Sequence, residues 1–267
     1  MVVVGFFVGV STLLALNGVK NIDMLNVSLS AILGAAIVGM MDDIFDLQQR
    51  FKAILPFILA LPLGAAATAA DTKVVLPHIA ILDLGPFMIV AAAFAVTCAA
   101  NAANMLEGFN GLGTGLGIIM ALTLLILSIM HDRLDGAYLL VPLLGSLVAF
   151  LWYNKFPAIV FPGDTLMLFM GATLAAAGIL SSMFVQTAFI FLPMIAEFFL
   201  KLRGSFRGEN YSTHYIDGHL AYEGRIESLT HFFMKKGRCT ERSLVYRIWA
   251  LEILFCLAVL IVDFFVA

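Results

Sequence analysis

The sequence predicts an all-α, polytopic integral membrane protein, and three observations carry that reading. Hydrophobic residues make up 62% of the 267-residue chain and charged residues only 12%, about half the charged share of a soluble domain. The mean hydropathy is +1.02. The apolar residues run unbroken instead of alternating, so the segments that cross lipid satisfy their backbones internally as helices and not as strands of a barrel. An ordinary soluble protein is excluded, and nucleic acid is not an expected partner.

Nine helices follow from these runs, at about 2–17, 28–42, 53–70, 85–103, 111–130, 137–152, 165–181, 184–201 and 246–266. The first begins on Val2-Val3-Val4-Gly5-Phe6-Phe7, without a basic region or a cleavage site, so it is a membrane helix and not a signal peptide. The second ends at Asp42 and Asp43, and the third begins after Arg50 and Lys52. The fourth runs into an asparagine-rich segment whose glycines, Gly108 and Gly111, mark a loop before the fifth. His131, Asp132 and Asp135 separate the fifth from the sixth. The seventh opens at Asp164 after Pro162-Gly163, a helix-start signal. The eighth carries Glu197 near its end. A polar segment, 202–245, precedes the ninth. Several spans fall short of about 20 residues, which tilt, local thinning or burial against neighbours absorbs.

Within 202–245, Asp217-Gly218 between alternating residues predicts a β-hairpin. Residues 227–237 predict a short amphipathic helix, with Leu229, Phe232 and Phe233 facing the membrane or the core and Lys235 and Lys236 before Gly237. Cys98, Cys239 and Cys256 match no metal spacing and no disulfide framework.

The loops alternate between two sides. Twelve of the 15 lysines and arginines fall in or beside segments 43–52, 104–110, 153–164 and 202–245. The excess of basic residues places that side in the cytosol.

Every dense polar cluster lies on this cytosolic side: Asp42, Asp43 and Asp46; Asn101, Asn104, Glu107 and Asn110; Phe161-Pro162-Gly163-Asp164-Thr165; and Arg203 with Arg207. Each has a bland reading. Carboxylates at a helix end are often merely solvated, although the dipole at a C-terminus disfavours them. Gly108 and Gly111 suit any loop, Asp164 suits an N-cap, and arginines suit a membrane surface. Their coincidence on one face points to a site. Carboxylates and carboxamides are hard ligands suited to Mg²⁺, which keeps waters and bridges phosphates. Arginines and Lys52 suit a diphosphate. Together they predict metal-assisted phosphoryl transfer between a lipid phosphate and a soluble nucleotide compound.

In these four clusters, in order and at family-like spacing, the sequence resembles the polyprenyl-phosphate N-acetylhexosamine-1-phosphate transferases of glycosyltransferase family 4. The likeness runs from about residue 2 to the end of the chain. It implies transfer of an N-acetylhexosamine-1-phosphate from a UDP-sugar to a polyprenyl phosphate, with release of UMP. It further implies Asp42, Asp43 and Lys52 as catalytic residues, Asn104 and Asp164 as ligands of Mg²⁺ (Mn²⁺ as a substitute), Asn110 and Phe161 at the uracil, and Arg203 and Arg207 at the diphosphate or sugar. The division of roles between Asp42 and Asp43 stays open. Relatives imply a homodimer, and a plasma membrane or endoplasmic reticulum with the site facing the cytosol. Asp43→Asn and Asp164→Asn are expected to abolish transfer without unfolding the protein.

Two departures from the family pattern carry expectations of their own. The family has one more N-terminal helix and a following loop, so a preceding segment is expected upstream of Met1. The bacterial paired-histidine motif is missing from 202–245, where His214, His219 and His231 read as ordinary polar loop residues. A hairpin there resembles the archaeal and eukaryotic branch, which implies dolichyl phosphate and GlcNAc-1-phosphate. The competing readings are an inactive scaffold-type fragment of the same family and a transporter. A transporter would need ionisable groups at mid-membrane, whereas these clusters sit at helix ends.

Overall fold

A computed structural model describes residues 1–17, 21–76, 80–206, 209–235 and 239–266. Its helices are α1 (Val2–Asn17), α2 (Ile22–Phe45), α3 (Gln49–Ala70), α4 (Met88–Met105), α5 (Leu112–Met130), α6 (Ala137–Asn154), α7 (Gly163–Leu180), α8 (Phe184–Ile190), α9 (Leu192–Arg203), α10 (Leu229–Lys235) and α11 (Glu241–Val266). Among the described residues, seven helices are long and apolar enough to cross a membrane, or eight when the bent pair α8–α9 counts as one span. The shorter apolar α1 accounts for the ninth predicted segment. The all-α membrane architecture is as the hydropathy predicts.

The core is built around α7, whose span is 83% buried inside the protein. Small residues allow this, because helices in lipid associate by close backbone approach. A Cβ added at Gly171 would lie 2.3 Å from the Ala99 carbonyl oxygen of α4, and one added at Gly39 would lie 2.4 Å from that of Asp164. The first ring around α7 is therefore α2 and α4 at backbone contact, with α3 packed on both of them. On the other side α5 pairs with α6, α1 leans on α6, and α11 lies along α5.

Two elements differ from the sequence reading. The predicted helix 184–201 is broken at Phe191, and its halves are bent by 58°. Pro193 stands in the first turn of α9 and has no N–H to continue the helix. Hydropathy is continuous across the break, so it gave no warning. Second, α3 and α4 are joined by an antiparallel hairpin, β1 (Lys73–Leu76) and β2 (Ala80–Asp83), with Thr72 Oγ1 donating to Asp83 Oδ1 at 2.6 Å. In α10, Leu229 and Phe233 pack against the core and Phe232 is exposed, while Thr230, His231 and Met234 are buried as well. The rotation of the helix is set from α9. The Glu197 carboxylate accepts from the Leu229 N–H at 2.7 Å and from Ser228 Oγ at 3.1 Å, and so caps α10 in one rotation.

The second predicted hairpin is present as β3 (His214–Ile216) and β4 (His219–Ala221), with Asp217 and Gly218 both at positive φ (50° and 77°), the turn that hairpin twist favours. The expected Lys236 and Gly237 helix end lies outside the described residues.

Candidate active site

The site is assembled where the ends of α2 and α4 meet the starts of α3 and α7. The sequence reading ended α2 at Asp42, but the helix continues to Phe45. Asp46, at φ 50°, forms a left-handed cap whose N–H bonds the Asp42 carbonyl at 2.9 Å. Asp42 and Asp43 therefore occupy the last helical turn and project from different sides of it.

Asp43 reaches α7. Its Oδ1 accepts from the Asp164 N–H at 2.8 Å, and its Oδ2 from the Thr165 N–H at 3.0 Å and the Thr165 hydroxyl at 2.5 Å. An acidic side chain of one helix thus caps the N-terminus of another, where free N–H groups and the dipole favour negative charge. Gly163 leaves the space, since a Cβ there would lie 2.8 Å from Asp43 Oδ2.

Asp42 turns the other way. Its Oδ1 accepts from the Leu47 N–H at 2.7 Å, and its Oδ2 is ion-paired with Lys52 Nζ. The same ammonium donates to Asp164 Oδ2 at 2.7 Å, and Asn104 Nδ2 donates to that oxygen at 3.0 Å. Asn101 holds the start of α3, donating to the Lys52 carbonyl at 3.3 Å. Asp42, Asp43, Lys52, Asn104 and Asp164 therefore converge as the sequence predicts. The Asp42, Lys52 and Asp164 side chains are 6%, 13% and 24% exposed. Three carboxylates beside one ammonium leave the cluster negative, a setting that attracts a cation.

A second layer carries Asn110. The loop between α4 and α5 takes φ +152° at Gly108 and +78° at Gly111, values open to glycine. Within it the Glu107 carboxylate accepts from the Gly113 N–H at 2.8 Å, while its other oxygen is buried without a partner. Burial pushes the Glu107 pKa up to about 7. Asn210, in the long loop, straps this turn by donating to the carbonyls of Met105 (2.9 Å) and Glu107 (2.6 Å). Asn110 itself bonds Glu241 of α11 through its N–H at 2.8 Å and its Nδ2, and accepts from the Ala158 N–H at 2.8 Å.

Phe161 stands 59% exposed, two residues before α7. Arg203 is not bonded to the aspartates; its Nη2 donates to the Ile226 carbonyl. Arg207 lies outside the described residues. His231 corrects the reading of the three histidines as ordinary polar loop residues. It is 1% exposed and stacked on Tyr222 at 3.6 Å, and burial holds its pKa below the usual histidine value.

The sequence reading missed Asn154 and Glu241; it had Thr165 in the third cluster, without a role. Asn154 is buried, accepts from Thr114 Oγ1 at 2.7 Å and donates to the Val160 carbonyl at 2.9 Å, which fixes the segment before Phe161. Glu241 had only a helix-start signal, an acidic residue in a first turn, and the predicted start at 246 passed over it.

The sequence profile of glycosyl transferase family 4 matches residues 25–182. A protein of Saccharolobus solfataricus, provisionally named UDP-N-acetylglucosamine–dolichyl-phosphate N-acetylglucosaminephosphotransferase, is 34% identical over 98% of this chain and 82% of its own. The chain belongs to glycosyl transferase family 4. The Schizosaccharomyces pombe protein named UDP-N-acetylglucosamine–dolichyl-phosphate N-acetylglucosaminephosphotransferase is 32% identical over 67% of this chain and 46% of its own. A Thermoanaerobacter protein named phospho-N-acetylmuramoyl-pentapeptide-transferase is 31% identical over 66% of this chain and 58% of its own. The segment matched by family 4 contains the whole Lys52 cluster and Asn110. Glu197, Arg203, Asn210 and Glu241 lie beyond it.

Proposed function

We propose that this protein transfers N-acetylglucosamine-1-phosphate from UDP-N-acetylglucosamine to dolichyl phosphate at the cytosolic face of its membrane, releasing UMP. The observation that carries the reading is the single Lys52 ammonium shared by Asp42 and Asp164, at a helix junction on the lipid boundary. The donor and acceptor are those in the names of the Saccharolobus and Schizosaccharomyces relatives, and the former matches nearly the whole chain.

The residues present fit a Mg²⁺ ion. Mg²⁺ is commonly held by one or two carboxylates together with substrate phosphates and water, and needs no cage of protein ligands. Asp164, with Asn104 beside it, is the candidate ligand pair, and the excess negative charge of the cluster favours a cation there. Bound Mg²⁺ would neutralise the diphosphate and the charge that develops on departing UMP.

In the proposed step an oxygen of the lipid phosphate bonds to the β-phosphorus. The bridging P–O bond to the α-phosphate breaks, and its electron pair leaves with UMP. The second pKa of a phosphate monoester is about 6, so the nucleophile is mostly ionised at neutral pH. The geometry supports unequal roles for the adjacent aspartates. Asp43 spends both oxygens on α7, which suits holding Asp164 and Thr165 in place. Asp42 shares its counterion. When a phosphate draws Lys52 away, Asp42 is the group that can take a residual proton.

The test is purified protein in detergent with Mg²⁺, dolichyl phosphate and radiolabelled UDP-N-acetylglucosamine, following labelled lipid and released UMP. Equal release of both products, lost on chelation of the metal, is expected. Folded protein that labels lipid only from a UDP-muramoyl-peptide donor would overturn the sugar assignment. No product from either donor would overturn the reaction.

A further inference from the structure

We infer that Glu241, in the first turn of α11, is a positioning residue that sets which way round the Asn110 carboxamide faces the nucleobase. The inference rests on the reading that Asn110 meets the uracil of the donor.

A carboxamide has nearly the same shape when its oxygen and nitrogen are exchanged, so only its partners fix its sense. Here the partners are unambiguous. Glu241 is an acceptor, and it takes both the Asn110 N–H at 2.8 Å and the Asn110 Nδ2 on its Oε1. The Ala158 backbone N–H is a donor, and it takes Asn110 Oδ1 at 2.8 Å. Exchanging the amide ends would set oxygen against carboxylate and N–H against N–H. After these bonds, Nδ2 keeps one hydrogen and Oδ1 keeps one lone pair. A donor beside an acceptor complements the imide edge of uracil, where an N–H adjoins a carbonyl. Cytosine lacks that N–H. The sense of the amide is therefore part of base selection, and Glu241 supplies it.

Glu241 is not a wandering surface carboxylate. α11 is clasped to the same segment a few turns on, where Trp249 Nε1 donates to the Leu112 carbonyl at 3.0 Å. The Trp249 ring fills the notch at Gly115, where an added Cβ would lie 2.0 Å from Cζ2. The helix that carries Glu241 is thus held in register with the loop that carries Asn110. Glu241 also lies outside residues 25–182, so the nucleotide end of the site would draw on the last helix.

The experiment compares Glu241→Ala, Glu241→Thr, Glu241→Gln and Asn110→Ala with the parent, in full-length protein in detergent. It reads donor KM, kcat, dolichyl-phosphate KM, thermal midpoint, and competitive inhibition by UMP and by CMP. Glutamine keeps the accepting oxygen and should stay within about threefold of the parent. Alanine and threonine should raise donor KM about tenfold or more, the effect of losing a hydrogen bond to a charged group, with kcat and lipid KM unchanged. The preference for UMP over CMP should narrow in both. Threonine tolerates a helix start, so it keeps the test alive if alanine fails to fold. A UMP preference retained in folded Glu241→Thr or Glu241→Ala overturns the inference, provided that Asn110→Ala loses it. A preference retained in Asn110→Ala overturns the reading of Asn110 at the base, and the inference with it. Equal losses for both substrates with a lowered midpoint would reduce Glu241 to a structural anchor and also overturn it.

Discussion

Gly39→Ala tests how far the reacting residues depend on one point of backbone contact. Gly39 lies in α2, one turn before Asp42 and Asp43, and faces the N-terminus of α7. A Cβ there would sit 2.4 Å from the Asp164 carbonyl oxygen, 2.6 Å from its carbon and 2.7 Å from Thr165 Cα. These are backbone atoms, which cannot swing aside as a flexible side chain can. Restoring an ordinary contact of at least 3.4 Å requires α7 to retreat by about 1 Å, the difference between 3.4 and 2.4. That retreat carries the 2.8 Å bond between the Asp164 N–H and Asp43 past the limit of about 3.5 Å, and weakens the Thr165 bonds beside it. The overpacking costs about 1–3 kcal/mol, and each bond lost to the carboxylate about 1.5–3 kcal/mol. Displacing reactive groups by about 1 Å can cost about 100-fold in rate. The assay is lipid-product formation together with the thermal midpoint in detergent. Gly145→Ala in α6 is the control, because no atom lies within 4 Å of its added Cβ. A large fall in kcat with a lowered midpoint is expected for Gly39→Ala, and neither for Gly145→Ala. A Gly39→Ala protein with parental kcat and midpoint would refute the reasoning.

Further substitutions probe the cluster and its loop. Asp164→Asn removes the negative charge that Lys52 and Asn104 share, and Asp43→Asn halves the cap on α7; each should cut lipid-product formation by about 100-fold or more while circular dichroism stays helical. Lys52→Met leaves Asp42 and Asp164 facing each other without a counterion, so transfer should vanish and stability fall by about 3 kcal/mol, with a larger rise in thermal midpoint on adding Mg²⁺ than the parent shows. Glu107→Gln tests a protonation. The Glu107 pKa is raised from 4.5 to about 7 in the fold, so the folded protein binds the proton more tightly than the unfolded chain does. The Glu107 contribution to parental stability is then fully present at low pH and is lost as pH rises from about 4.5 to about 7. Without added divalent cation, the glutamine variant should match the parent near pH 5 and exceed it in thermal midpoint at pH 8; a constant difference at both pH values would contradict this.

The spans were legible because lipid leaves a backbone only helix or closed barrel, and unbroken apolar runs fit helix alone, so run length reports them almost directly. The hairpin at Asp217-Gly218 was legible because two adjacent positive-φ positions need those residue types. Asp42, Asp43, Lys52, Asn104 and Asp164 were legible as unusual polar residues at helix ends, but their pairing was not. Asp43 caps a helix that begins 120 residues later, and nothing local to Asp43 announces that bond. Glu241 was missed for the same reason: its partner lies 131 positions away, and an acid in a first helical turn explains itself locally. The burial of Thr230 and His231 in α10 was not legible because amphipathicity cannot see Glu197, whose carboxylate chooses the rotation. The break at Phe191 was missed because hydropathy averages over Pro193.

The glycines at 113, 115 and 117 explain how one helix gathers the distant parts. They lie on α5 at alternate positions, so each opens onto a different direction of approach. A Cβ at Gly113 would lie 2.2 Å from Glu107 Oε2, one at Gly115 2.0 Å from the Trp249 ring, and one at Gly117 2.1 Å from Met170 Sδ. Those three side chains belong to the Asn110 loop, to α11 and to α7. The start of α5 thus serves as a mould in which loop, last helix and central helix each take a fixed seat. Asn110 and Asp164 share no hydrogen bond, yet both are located against α5, Asn110 through Glu107 and Trp249, and Asp164 through the body of α7. At Gly113 and Gly117 an added side chain would first meet the ends of flexible side chains, which can turn aside, whereas at Gly115 it would meet the rigid Trp249 ring. Substitution at Gly115 would therefore push α11, and Glu241 with it, away from the Asn110 loop even with every polar residue intact.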